Sequence, residues 1–174
     1  FFSAKRLMLS FWEKESFQNY DIIIVGAGIV GLSTAASIKE TNKNISVLVI
    51  EKGILPTGAS TKNAGFACFG SLTEVLADFE TTGEEETLQL ISQRFNGLSI
   101  LRNRIGDSNL DFQQNGGFEL LDSSNIDKAD QLEKLNKLTS PLFNENIYSL
   151  ENQKIAEFNF NKNNVLGLVK NKLE

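Results

Sequence analysis

Gly26, Gly28 and Gly31 stand in a G-x-G-x-x-G spacing, and Glu51 follows 20 residues after the last of them. Residues of these types at this spacing bind phosphate and sugar. The first glycine permits a tight turn, the second lets backbone approach a diphosphate with no Cβ between, and the third lets a helix lie close on the preceding strand. Backbone N–H groups and the positive end of the helix dipole then receive the anion, so no basic side chain is required. A carboxylate at Glu51 accepts hydrogen bonds from a ribose diol and repels a 2′-phosphate, which disfavours an NADP-type ligand.

Such a site works only if the right elements hold it. The stretch "YDIIIVGAGIVGLSTAASIKE" from Tyr20 reads as a β-branched strand, a glycine turn and a helix whose Ala35, Ala36 and Ile38 face a sheet. "ISVLVIEK" supplies a second buried strand over residues 45–50 that ends at Glu51. Strand, turn, helix and strand in that order predict a parallel βαβ unit. Glycines that serve only a sharp turn are the plainer reading, and the coincidence of strand, spacing and acid argues against it.

The glycine turn does not by itself separate FAD from NAD, because both carry an ADP half. Residues 58–70, "GASTKNAGFACFG", help decide. They follow Glu51 after a short linker and are small along their whole length. Ser60, Thr61 and Asn63 offer hydrogen-bonding groups, while Ala64 and Gly65 let backbone approach a planar ring. An extended small-residue contact of this kind favours the longer FAD molecule. A turn-rich lid without a ligand is the alternative.

Composition narrows the classes further. The chain has 174 residues, of which 41% are hydrophobic and 22% charged, so it can bury a core. Its formal charge of -5, with no local basic patch, argues against a nucleic-acid partner. There is no histidine and a single cysteine, Cys68, which excludes a histidine-based triad, an intrachain disulfide and a multi-cysteine metal site within these residues. Asp107, Asp111 and Asp122 lack a metal-specifying spacing. Cys68 is expected to be a small buried hydrophobe rather than a reactive thiol. The longest apolar run, residues 22–32, is too short and too glycine-rich to span a bilayer, so no stable membrane insertion is expected and a cytoplasmic location is the default. At the N-terminus, "FFSAKRLMLSFW" lacks the apolar length and cleavage site of a secretory signal. Met8 is a candidate start, and Phe11, Trp12 and Phe17 are expected to form the packed side of a short helix rather than a membrane anchor.

The motifs "YDIIIVGAGIVGLSTAASI", "VLVIEKG" and "GASTKNAGFACFG" together resemble the N-terminal part of the FAD-dependent D-amino-acid oxidase family, which includes glycine oxidase, sarcosine oxidase and D-amino-acid dehydrogenase. The likeness is clear over residues 20–70 and weakens beyond them. It implies a Rossmann-like FAD-binding domain of α/β class, followed by the beginning of a second α+β substrate domain. By the family pattern, Gly26, Ala27, Gly28, Ile29 and Gly31 would meet the pyrophosphate, and Glu51, with Lys52 beside it, the adenosine ribose. Ser60, Thr61, Lys62, Asn63, Ala64, Gly65 and Phe66 would line the pyrophosphate, ribityl or ring region. Lys62 stands where relatives often carry Arg, so a phosphate contact competes with a solvent-facing lysine. The implied activity is oxidation of the C–N bond of a small amine or amino acid, with FAD as cofactor. No catalytic residue and no metal ligand is assigned.

The same resemblance places the substrate-holding side chains in a C-terminal half that this chain lacks. It therefore implies a C-terminally truncated form that is inactive alone and needs that half, or a partner chain, with a homo-oligomer as a further expectation. The expected division is an extension over residues 1–19, an FAD-binding portion over 20–106 and an incomplete substrate domain over 107–174. An NAD-binding dehydrogenase or sensor, and a noncatalytic subunit, remain open.

Further along, Leu88, Ile91, Phe95, Leu98 and Ile105 recur at helical spacing after an acidic start at Glu84, Glu85 and Glu86, which predicts a long helix stopping at Gly106. "LDFQQNGGFELLD" predicts either a hairpin or a strand entering another sheet. Leu132, Leu135 and Leu138 predict a helix ending before Pro141, with Asp130 and Lys134 as a surface ion pair. Residues 165–169 predict an apolar strand with an exposed docking edge.

Overall fold

The computed structural model describes residues 9–174, so the candidate start at Met8 and everything before it lie outside the described residues. The chain divides into two compact units, one ending at Gly65 and the other spanning Phe66–Glu174. The predicted helix before Gly106 therefore belongs to the second of these compact units.

In the first unit, helix α1 (Phe11–Gln18) begins with a capping box. Ser10 Oγ accepts from the backbone N of Glu13, whose carboxylate accepts from the backbone N of Ser10. The packing expected for this helix is not found: Phe11, Trp12 and Phe17 are all exposed. Its short sequence places apolar side chains on more than one side, and no face of it is buried.

Strand β1 (Ile22–Val25), helix α2 (Ile29–Thr41) and strand β2 (Val47–Ile50) form the predicted parallel βαβ unit. Ile22 pairs with Val47 and Val25 with Ile50, which brings the C-terminal ends of both strands side by side. At the opposite end the Asp21 carboxylate accepts from both the backbone N and the hydroxyl of Ser46, each at 2.7 Å. The strands are less buried than expected. Ile22 and Ile24 are half-buried while Ile23 and Val25 are exposed, because a two-stranded sheet with one crossover helix covers only one side of its pleat.

The second unit has a dense core. Helices α3 (Leu72–Thr81), α4 (Glu84–Ile105), the short α5 (Asp107–Leu110), α6 (Leu132–Phe143) and α7 (Lys154–Glu157) accompany strands β3 (Gly117–Leu121), β4 (Tyr148–Leu150) and β5 (Gly167–Asn171). Phe69, Leu72, Val75, Leu76, Ile91, Leu121, Leu135, Ile147, Tyr148 and Val169 form one buried cluster. Phe69, Phe95 and Phe143 pack ring against ring, with centroids 5.0–5.6 Å apart. Helix α4 stops at Gly106 as predicted and opens on the three glutamates, and Gly83 and Gly106 both take positive φ at its ends.

Three expectations for this unit are corrected. The strand predicted at 165–169 is β5, two residues later, and it is the central strand of a β3-β5-β4 antiparallel sheet. It is paired on both sides and offers no docking edge. Helix α6 runs through Pro141, which stands in its last turn. Proline removes the donor that would bond Lys137 O, and the hydroxyl of Ser140 donates to that carbonyl instead. Lys134 pairs with Glu84 rather than Asp130, because Asp130 lies in a preceding 3-10 turn, Ile126–Gln131. The segment before β3 is a strand entry, not a hairpin.

Strand β4 depends on one buried side chain. Asn136 of α6 donates to Tyr148 O at 2.8 Å and accepts from Tyr148 N at 3.1 Å, which fixes the strand to the helix. Asn136→Leu preserves volume but leaves a buried N–H and C=O without partners, so a loss of about 2–5 kcal/mol in unfolding free energy is expected, read from urea midpoints.

Candidate functional site

The site predicted from the glycines is built at the end of β1. Gly26 takes φ +103°, a conformation that only glycine adopts without strain, and its N–H donates to Ile50 O at 2.7 Å. Gly28 is the extended N-cap of α2 and offers no side-chain cap, so the first-turn N–H groups depend on acceptors from elsewhere. Gly31 is held tightest. A Cβ there would overlap the carbonyl oxygen of Gly26 and come within 3.3 Å of Ile24 Cγ2.

Two acceptors reach this turn from later in the chain. Glu51, just past β2, accepts from Ala27 N at 2.8 Å through Oε2, and from Lys52 N at 3.0 Å and Gly53 N at 3.3 Å through Oε1. The Ala27 bond is the main reason its carboxyl is held below the usual carboxylate range, with Gly53 next. Ser60, in a 3-10 turn at Ala59–Thr61, accepts from Ile29 N at 2.9 Å through its hydroxyl. Three stretches of the chain, residues 26–29, residues 50–53 and Ser60, thus meet within one small region of the first unit.

Of the predicted residues, the structure gathers Gly26, Ala27, Gly28, Ile29, Gly31, Glu51 and Ser60. The others serve their own loop. Thr61 Oγ1 donates to Pro56 O and Gly58 O, Asn63 Nδ2 donates to Ser60 O at 3.2 Å, and Gly65 N donates to Asn63 Oδ1 at 2.9 Å. Lys52, Lys62 and Ala64 are exposed. Phe66 begins the second unit and is exposed there.

Sequence reasoning missed the grip of Glu51 on Ala27, although the strand register that sets it is implied by a parallel βαβ unit.

The second unit holds a separate cavity of about 420 Å³ lined by Phe66, Cys68, Phe118, Glu119, Tyr148 and Glu174, among others. Apart from Phe66 and Cys68, these were not anticipated, since nothing local in the sequence marks them. Cys68 is exposed at this cavity rather than buried as expected. Partial desolvation, and then the nearby Glu174 carboxylate, push its thiol up, which opposes a thiolate role. Burial also pushes Tyr148 and Glu174 up, so this cavity favours neutral side chains. Among the described residues there is no metal-binding cluster, and no helix is long and apolar enough to cross a membrane.

The donor set of the glycine turn suits a dinucleotide. Its N–H groups stand where Gly28 has no Cβ, a carboxylate lies beside them to receive a diol, and a hydroxyl that can accept or donate lies in front. A family model described as FAD dependent oxidoreductase matches residues 21–157. Neither a curated protein nor a solved structure gives a match.

Two outcomes follow from this geometry. Gly31→Ala should cost at least about 2 kcal/mol, because backbone must move to admit the methyl group, whereas Gly28→Ala meets only one side chain, through the Ser60 hydroxyl at 3.0 Å, and should leave the βαβ fold in place. Amide hydrogen exchange along β1 and β2 separates the two variants. For pH, Asp21 and Glu51 are both held low by hydrogen bonds within the first unit. Groups with depressed folded pKa values stabilise above their unfolded pKa and lose that effect as pH falls through the folded one, so protection in β1 and β2 should decline on acidification below the ordinary carboxylate range. Protection that rises there would contradict the assignment.

Proposed function

The chain belongs to the DAO family of FAD-dependent oxidoreductases, and we propose that its reaction oxidises the C–N bond of a small amine or amino acid. The observation that carries the cofactor half of this reading is the convergence of the α2 N-terminus, Glu51 and Ser60 on one glycine turn. When bound, FAD would supply the redox chemistry, a two-electron oxidation of the carbon bearing nitrogen to an imine that water hydrolyses, with the electrons passed on to an acceptor.

The protein's own residues do the holding. In this reading the N–H groups at Gly28 and Ile29 receive the pyrophosphate, with the small side of Gly28 admitting it to contact distance. Glu51 accepts the ribose hydroxyls and orients the adenosine end. The hydroxyl of Ser60, now an acceptor for Ile29 N, turns to donate to a phosphate oxygen. Thr61 and Asn63 keep the 3-10 turn folded so that Ser60 stays in place, and Ala64 and Gly65 leave room beyond it. Lys62, exposed at the end of that turn, is free of packing constraints and able to add a phosphate contact.

The amine substrate rests on the motif resemblance. An uncharged amine nitrogen, once bound, assists hydride loss from its own carbon, so no strong protein base is required of the residues in this chain.

Calorimetric titration with FAD and with NAD tests the cofactor assignment. FAD is expected to bind more tightly, and Gly28→Ala to weaken it by about tenfold or more, a change of about 1.4 kcal/mol, without loss of fold. Tighter binding of NAD would make the first unit an NAD-binding module and overturn the proposal.

A further inference from the structure

The Glu51 carboxylate joins two loops that leave the ends of paired strands. Register places Val25 opposite Ile50, so the residue after β2 lies beside the residues after β1. From there Oε2 takes Ala27 N, and Oε1 takes the N–H groups of Lys52 and Gly53. Ala27 sits between two glycines, the residues with the greatest backbone freedom, and Gly26 is already at positive φ. No side-chain cap from Gly28 fixes this turn. The described contacts that do so from outside are Ile50 O on Gly26 N, Glu51 on Ala27 N and Ser60 on Ile29 N.

We propose that Glu51 is a positioning residue for the glycine turn, which through Ala27 N holds the turn so that the backbone donors of Gly28 and Ile29 keep the conformation that receives a diphosphate, separately from any contact with a ribose diol. The inference rests on the dinucleotide reading for its ligand but not for its geometry. A rigid turn binds its ligand without first having to be ordered, and that is where the side chain contributes affinity.

The two roles of Glu51 are separated by a ligand that lacks the diol. ADP and 2′,3′-dideoxy-ADP are titrated into the unsubstituted chain and into Glu51→Gln and Glu51→Ala, after far-UV circular dichroism has shown that each is folded. Both variants are neutral, so the removal of negative charge near the diphosphate is common to them. Only the glutamine can turn an amide oxygen toward Ala27 N. The expected result is that dideoxy-ADP binds Glu51→Gln roughly tenfold more tightly than Glu51→Ala. Equal affinities would show that the side chain acts through the diol alone and would overturn the proposal.

A second measurement needs no variant and no ligand. In the nucleotide-free chain, the Ala27 amide proton shift should follow the titration of the Glu51 carboxyl carbon. An Ala27 amide indifferent to that titration would overturn the positioning role, even where Glu51→Ala fails to fold. Failure of both ADP and dideoxy-ADP to bind the unsubstituted chain would instead remove the dinucleotide reading, and the titration would still decide the role of Glu51.

Discussion

The carbonyl of Gly26 lies so close to Cα of Gly31 that no side chain fits between them, and the glycine-turn end of the first unit depends on that approach. It brings the end of β1 against the first turns of α2, so the helix starts at Ile29 directly beyond the strand. A looser junction would let the helix axis swing and carry its N-terminal donors away from β2. With the junction closed, parallel pairing of β1 with β2 sets Glu51 beside Ala27, and a short loop returns Ser60 to Ile29. One steric contact thus fixes where three separate chain segments meet.

Polar groups at that meeting point are satisfied, and one of the partners is exchangeable. Ile29 N has an acceptor from the protein itself, Ser60 Oγ, so a ligand oxygen there replaces a bond instead of filling a vacancy, while Ala27 N keeps its bond to Glu51. The net value of such an exchange is modest, about 0.5–1.5 kcal/mol for a neutral hydrogen bond and about 1.5–3 where one partner is charged. This favours a ligand that offers charge to Ile29 and hydroxyl donors to Glu51 at once, which is the chemistry of an adenosine diphosphate group. A lone phosphate satisfies only half of it.

Local signals made the first unit and α4 legible. β-branched runs, three spaced glycines and an acidic residue specify βαβ with its turn, while Gly83 and Gly106 punctuate α4 where the periodicity stops. What stayed hidden was set by distant partners. β4 is only three residues long and owes its position to Asn136, 12 residues earlier, whose amide is an ordinary helix-surface residue in the sequence. Residues 165–169 read as an edge strand because nothing nearby reveals that β3 and β4 flank the strand that forms there, β5. Within the site, the glycines and Glu51 were readable from type and spacing, whereas the division of residues 60–65 into one that reaches the turn and several that hold the loop required the hydrogen bonds themselves.

The two units differ in what stabilises them, and that difference bears on ligand binding. The second has a continuous apolar core, with Leu72, Leu121, Leu135 and Leu168 fully buried. No described residue of the first is fully buried, and its β1–β2 pair is secured at one end by Asp21 with Ser46 and at the other by Glu51 with Ala27. Stability in such a unit rests on hydrogen bonds at strand ends, where local opening begins. A ligand that binds only the closed turn shifts that local equilibrium by mass action, by about 2.7 kcal/mol at 100 times its Kd. Because the turn lies at one of the two securing points, the proposed cofactor binding would be coupled to strand pairing through the same few atoms. A nucleotide bound at the glycine turn, as proposed, would therefore add order to this unit at the point where its strand pairing is secured.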